Sequence, residues 1–253
     1  MPAAILARSV VLEARRGGLP WLVLGALAVA LALAAFVSQV ALTESLALQL
    51  AVFAAVLRAS AVFLITAQVT ASALREIEDK GLELMLSLPI SRAAHYLGRL
   101  AGFTACGALI ALVFAAPLLF WAPPAAVALW GVSLAFESAL IAAAALFFAM
   151  TLAQFVPALA ATVGLYLLAR SIGAIQAIAD GAFAEASPAS RFAQHAADAI
   201  ALVMPDLDGM TRTAWLLYEA PPAGTYAAAL TGAAIYIVLL SAAGLFDFYR
   251  RSV

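Results

Sequence analysis

The sequence predicts an all-α polytopic membrane protein, on three observations. Of 253 residues, 66% are hydrophobic, against roughly 45–50% in soluble domains. Only 11% are charged, and the mean hydropathy is +1.07. The apolar residues gather into six runs, each long enough for the roughly 20 residues that a spanning helix needs. Little chain is left over, so residues 1–253 are expected to form a single transmembrane domain.

Taken in order, Ala3 to Arg16 reads as an amphipathic helix. At 100° per residue Ala3, Leu6, Ala7, Val10, Val11 and Ala14 share one face, with Arg8, Ser9, Glu13, Arg15 and Arg16 opposite. Such a helix suits a membrane interface, with its arginines toward headgroups. The run from Leu19 to Ala41 is longer than the roughly 7–15 apolar residues of a signal peptide, so it is expected to be a retained helix. The six predicted spans are Pro20–Ala41, Leu46–Leu74, Tyr96–Trp121, Val127–Met150, Val156–Ile178 and Tyr226–Phe248. The second exceeds what a bilayer requires, which predicts tilt or an extension beyond the membrane. Pro123-Pro124 separates spans three and four. Pro157 fits the first turn of span five, just after a tight turn at Thr151 to Phe155. Gly98-x-x-x-Gly102 permits close helix approach, within the chain or between copies.

Basic residues set the orientation. Arg8, Arg15 and Arg16 precede span one, Arg75, Lys80, Arg92 and Arg99 fall between spans two and three, and Arg250 and Arg251 follow span six. Six spans put all of these on one side, which is then the cytoplasm, together with both termini. The segment from Ala179 to Thr225 is expected outside. It reads as two short amphipathic helices joined by the turn Met204–Gly209. Arg191, Gln194, His195 and Asp198 share one face of the first, with Phe192, Ala196, Ala199 and Val203 opposite. Asp208 is expected to cap the second, Met210 to Tyr218, with Trp215 and Tyr218 at the membrane interface.

Several chemistries are excluded by absence. The only lysine, Lys80, follows Asp79 rather than a glycine, so there is no phosphate-binding P-loop. The two histidines, His95 and His195, fall on opposite sides of the predicted membrane, so no metal site is expected. Cys106 is the single cysteine and lies in an apolar run, where a packing role is expected. No basic stripe marks a nucleic-acid surface.

Three charges fall within spans: Arg58, Glu137 and Arg170. A charge at mid-bilayer costs about 2.5–3.5 kcal/mol on insertion scales, so such residues pair or line a polar path. At ~1.5 Å per residue, Arg58 and Glu137 lie about 18 and 15 Å from the outer starts of their spans. Arg170 lies about 21 Å from its cytosolic start, in the outer half. A salt-bridged set and a path for an anionic cargo both fit.

The stretch from Arg75 to Arg92 holds seven charges in a chain that is 11% charged. On a helical wheel Ile77, Gly81, Leu84 and Leu88 fall together, opposite Glu76, Asp79, Lys80, Glu83 and Ser87. Pro89 would end this helix. One face is expected to rest on the spans and the other to meet a partner in water.

The string "REIEDKGLELMLSLPISRAAHYLGRLAGF", Arg75 to Phe103, resembles the signature of ABC-2-type transporter permeases. Glu76, Gly81, Glu83, Leu88-Pro89, Ser91-Arg92 and Tyr96-Gly98-Arg99 carry the likeness, with Arg99 where lysine is common. It covers under thirty residues; the rest agrees in plan, with an N-terminal elbow helix (3–16), six spans and short outer helices (179–225).

The resemblance implies the permease subunit of an exporter in a bacterial cytoplasmic membrane. Two permeases, expected to be identical, would pair among membrane lipids. Each would bind one copy of a separate ABC ATPase, which carries the ATP and Mg; this chain would itself be no enzyme and hold no cofactor. Residues 75–92 would be the coupling segment, with Glu76, Glu78, Asp79, Lys80, Glu83 and Arg92 touching the ATPase. Ile77, Leu84, Leu88 and Pro89 would anchor it. An extracytoplasmic accessory protein is compatible with this plan. The alternatives are a secondary transporter with an Arg58–Glu137–Arg170 relay, a lipid-modifying enzyme using Asp206, Asp208 and His195, and a scaffold that signals through its ATPase.

Overall fold

The computed structural model describes residues 2–40, 45–79, 91–179, 195, 198–201, 203–218 and 220–250. Its elements are α1 (Pro2–Arg16), α2 (Leu19–Val40), α3 (Ser45–Glu78), α4 (Arg92–Ala115, continued by a 3-10 turn, Ala116–Phe120), α5 (Pro124–Leu152), α6 (Phe155–Ala179), the short α7 (Ala214–Leu217) and α8 (Ala223–Arg250). There is no strand among the described residues. Six helices are long and apolar enough to cross a membrane: α2 to α6 and α8. The chain is an all-α, multi-pass membrane protein. Successive long helices alternate in direction. The end holding α1, Glu78, Arg92 and Arg250 is called the basic end; the opposite one is the far end.

Chain punctuation explains the boundaries. Ser91 caps α4, its side-chain oxygen accepting the Ala94 N–H at 3.2 Å. Pro124 starts α5 at a position where a missing N–H costs nothing. Ala153 ends α5 in the left-handed conformation, φ 51°. Gly18, at φ +86°, turns the chain from α1 into α2. A β-carbon would be strained at that angle.

The core is built on α5, which apart from Ser133, Glu137 and Ser138 is apolar along most of its length, as a largely buried helix must be. From Ile141 to Leu146 no residue is more than 1% exposed. Four of those six are alanines, which let neighbouring helices approach closely. By contrast, α2 and α8 leave most of their apolar side chains on the outside, including Trp21, Phe36, Val238 and Phe246. Lipid is the solvent for those faces.

Close approach also explains α1. Its stripe Leu6, Val10 and Ala14 is buried, while Arg8, Arg15 and Arg16 are exposed. The stripe rests on the Gly98 and Gly102 face of α4. A β-carbon at Gly102 would lie 2.6 Å from Val10 Cβ and 2.8 Å from the Ala7 carbonyl oxygen; one at Gly98 would lie 2.9 Å from the Ala3 carbonyl oxygen. The glycine pair therefore serves a contact within the chain. The same packing keeps the apolar face of α1 on protein rather than on lipid.

The outer segment departs from expectation. Asp208 does not cap a helix from Met210 to Tyr218. The helix shrinks to Ala214–Leu217, with no side-chain cap at Thr213. Asp208 pairs instead with Arg212 at 2.9 Å, and Asp206 Oδ1 accepts the Gly209 N–H at 2.9 Å. The cause lies at Thr211, whose φ of 48° takes the chain off the helical path. Trp215 is buried, edge-on to Tyr226 at 5.6 Å, whereas Tyr218 is exposed. Of the first outer helix, Arg191, Phe192, Gln194 and Ala196 lie outside the described residues, as do Lys80, Glu83, Leu84, Leu88 and Pro89.

Replacing Gly102 with leucine should push α1 off α4. Overpacking of this kind costs about 1–3 kcal/mol, so the melting point in detergent should fall by several degrees. Gly164→Ala, where a β-carbon meets nothing within 4 Å, should leave it unchanged. Equal melting of both variants would contradict the packing.

Candidate functional site

The three charges expected within the spans converge toward the far end. Glu137 on α5 is fully buried. Its Oε1 lies 3.7 Å from Nη1 of Arg170 on α6. The same Arg170 nitrogen donates to the carbonyl oxygens of Leu207 at 2.6 Å and Met210 at 2.9 Å. Arg58, on α3, donates to the Thr211 carbonyl at 3.0 Å. The Tyr166 hydroxyl faces both Glu137 and Arg58.

Thr211 is the hinge of the cluster. It is fully buried, although it belongs to the connection between α6 and α8. Its hydroxyl donates to Glu137 Oε2 at 2.5 Å, and its N–H donates to Ser133 Oγ at 2.9 Å. Together with the Arg58 bond, every polar group of the residue is engaged. A β-branched residue at φ 48° is strained, and such strain persists where the surroundings over-determine it. Leu207 and Met210, each 1% exposed, accompany Thr211 into the bundle. The segment around Leu207–Thr211 thus enters the bundle, where side chains of α3, α5 and α6 bond the Leu207, Met210 and Thr211 carbonyls and the Thr211 N–H. Irregular backbone at membrane depth is tolerated only when buried in protein like this.

A second polar cluster stands at the basic end. Glu76 on α3 pairs with Arg99 on α4, and its Oε1 lies 3.2 Å from His95 Nε2. Arg99 donates to Ser72 Oγ at 2.7 Å; Ser72 donates in turn to Glu13 Oε1 at 2.8 Å. Arg75 closes on that same Glu13 oxygen at 3.3 Å. Arg99 also sits 5.4 Å over the Phe103 ring. The network ties α1 to the last turns of α3 and the first turns of α4, around a cavity of about 370 Å³ that Asp79 also lines.

The structure therefore divides the residues expected to touch a partner. Glu76 turns inward, its side chain 13% exposed. Arg92 donates to the Phe248 carbonyl at 3.3 Å, at the end of α8, with its guanidinium 5.9 Å from that ring. Glu78 and Asp79 are exposed. Ile77 packs against the core. Sequence reasoning missed Thr211, Ser133 and Tyr166 at the far end, and Glu13 and Ser72 at the basic end. A hydroxyl in an apolar run is the only signal that Ser72 and Ser133 give, and Thr211 gives none. Among the described residues, no three His, Cys, Asp or Glu side chains are grouped to hold a metal ion. No protein-family model matches this chain, and no curated protein matches it.

Removing one member of a buried ion pair costs about 3–5 kcal/mol, because the other charge is left unpaired. Arg170→Met alone should therefore destabilise strongly. Adding Glu137→Gln should cost far less than its effect in an otherwise native chain. A thermal-melt double-mutant cycle measures this coupling. Additive effects would show that the two charges do not stabilise one another.

Proposed function

We propose that this chain is the transmembrane permease subunit of an ABC-2-type exporter, moving its cargo with energy from a separate ATPase. One observation carries the reading. The 34-residue α3 is about 51 Å long at ~1.5 Å per residue, against a hydrocarbon core of about 30 Å. It is a rigid rod that outruns the membrane. Its last turns are clamped to α1 and α4 by the Glu76–Arg99 network, and it ends in exposed Glu78 and Asp79. The permease-like string from Arg75 to Phe103 begins on this rod and runs into α4.

Such an arrangement suits force transmission. A partner gripping the connection between α3 and α4 would move both helices as a unit, since the ion pair joins them. The displacement reaches the far end through α3 itself, because Arg58 on that helix holds the Thr211 carbonyl. A partner shifts such an equilibrium only through differential affinity for its two states. In this reading the contact set centres on Glu78 and Asp79, joined by Lys80 and Glu83. Glu76 and Arg92 then position the segment. The cytoplasm lies at the basic end, and two copies of the chain, each with its ATPase, form the transporter in a bacterial cytoplasmic membrane. The convergence of Arg58, Glu137 and Arg170 on one backbone turn supports a structural role for them over an ion relay.

Purification from the native membrane in mild detergent tests this directly. An ATPase should co-purify at one-to-one stoichiometry. Glu78→Lys with Asp79→Lys should reduce it at least tenfold while leaving the melting point within a degree or two. Recovery of the chain without any nucleotide-hydrolysing partner, with solute uptake driven by an ion gradient alone, would overturn the proposal.

A further inference from the structure

The junction between α1 and α2 leaves a groove that the function above does not use. Val11 and Arg15 of α1, Pro20 and Leu24 of α2, and Leu109 and Val113 of α4 line it, around a volume of about 390 Å³. Every lining residue except Arg15 is apolar or a cysteine. Leu24, Leu109 and Val113 are 50%, 52% and 38% exposed on membrane-spanning helices. The groove is therefore continuous with the surface that acyl chains cover.

Arg15 gives the groove its polarity. It sits in the last turn of α1, beside Arg16 and four residues before α2 begins at Leu19. The acidic residue of α1 is not available to neutralise it: Glu13 is turned away, engaged with Ser72 and Arg75. Among the described residues no carboxylate pairs with Arg15 or Arg16. An arginine at the rim of an apolar slot, where a spanning helix starts, lays its stem along the apolar wall and presents its fork to an anion. Basic pockets between spanning helices recognise anionic headgroups in this way.

We infer that this groove binds one anionic phospholipid, its acyl chain between α2 and α4 and its phosphate on Arg15. The lipid would staple α1 to α2 across the Gly17-Gly18 turn, where little else joins the two helices. A phosphate alone would lack the apolar walls, and a zwitterionic lipid would bring its own ammonium beside Arg15 and Arg16, offsetting the attraction of its phosphate. The inference does not depend on the exporter reading.

The test is native mass spectrometry of the full chain, after exchange into detergent doped with either phosphatidylglycerol or phosphatidylcholine of identical chains. One phosphatidylglycerol per chain should survive activation that strips phosphatidylcholine. Arg15→Gln should reduce its retention about fivefold, the loss expected for one basic contact at a membrane surface. Arg8→Gln, which removes an exposed charge from the same helix outside the groove, should leave retention unchanged. Val113→Trp, which fills the groove while keeping Arg15, should also lower it, and covers the case in which Arg15→Gln fails to fold. Equal retention of the two lipids, equal loss with Arg8→Gln, or undiminished binding in Val113→Trp would each overturn the inference.

Discussion

The far half of this molecule depends on one constraint: a carboxylate buried in the middle of α5 has to be matched. Glu137 has no water to turn to, and an unpaired charge at that depth is costly. Arg170 lies 3.7 Å away and the Thr211 hydroxyl 2.5 Å. Meeting that need draws three spans and one connecting segment to a point. Arg170 would be a liability as well, but it spends its donors on the Leu207 and Met210 carbonyls. Arg170 thus lies within ion-pair distance of Glu137 while bonding backbone carbonyls of the inward turn that would otherwise lack a partner. A loop over the outer surface would leave Glu137 and both arginines without these partners.

The basic end follows the same rule in wetter surroundings. Glu76, Arg99, Ser72, Glu13 and Arg75 form a chain of charge-assisted bonds across α1, α3 and α4. Exposed ion pairs contribute little, but Arg99 is 8% exposed and its bonds link helices that apolar packing already holds at the Gly98–Gly102 face. The one helix that contributes to both clusters is α3. Arg58 joins α3 to the far cluster near the middle of the helix, and Ser72, Arg75 and Glu76 join it to the basic cluster at its last turns.

Much of this was legible in the sequence. The six spans were readable because each is a long apolar run bounded by charges or prolines, and the observed helices differ from the predicted ones by only a few residues at each end. Arg58, Glu137 and Arg170 announced themselves, since a charge in such a run must find a partner. Their partners did not. Thr211 is an unremarkable residue in a polar stretch, and backbone carbonyls leave no trace in a sequence. The inward turn of Glu76 was hidden for a similar reason. A helical wheel places it on the polar face, and its partner Arg99 lies 23 positions along, beyond a connection that says nothing about which side chains will meet. The Gly98–Gly102 pair signalled close approach but not the identity of the approaching helix.

The proposed exporter requires the charged tip of α3 and the turn at Asp206 to face opposite sides of the membrane. Thiol labelling of intact cells tests that most directly. In a Cys106→Ala background, a single cysteine replaces either Asp79 or Asp206, both exposed. A membrane-impermeant reagent added outside should label Asp206→Cys at once, and Asp79→Cys only after the membrane is opened. Labelling of Asp79→Cys from outside, or of both positions from the same side, would contradict the account.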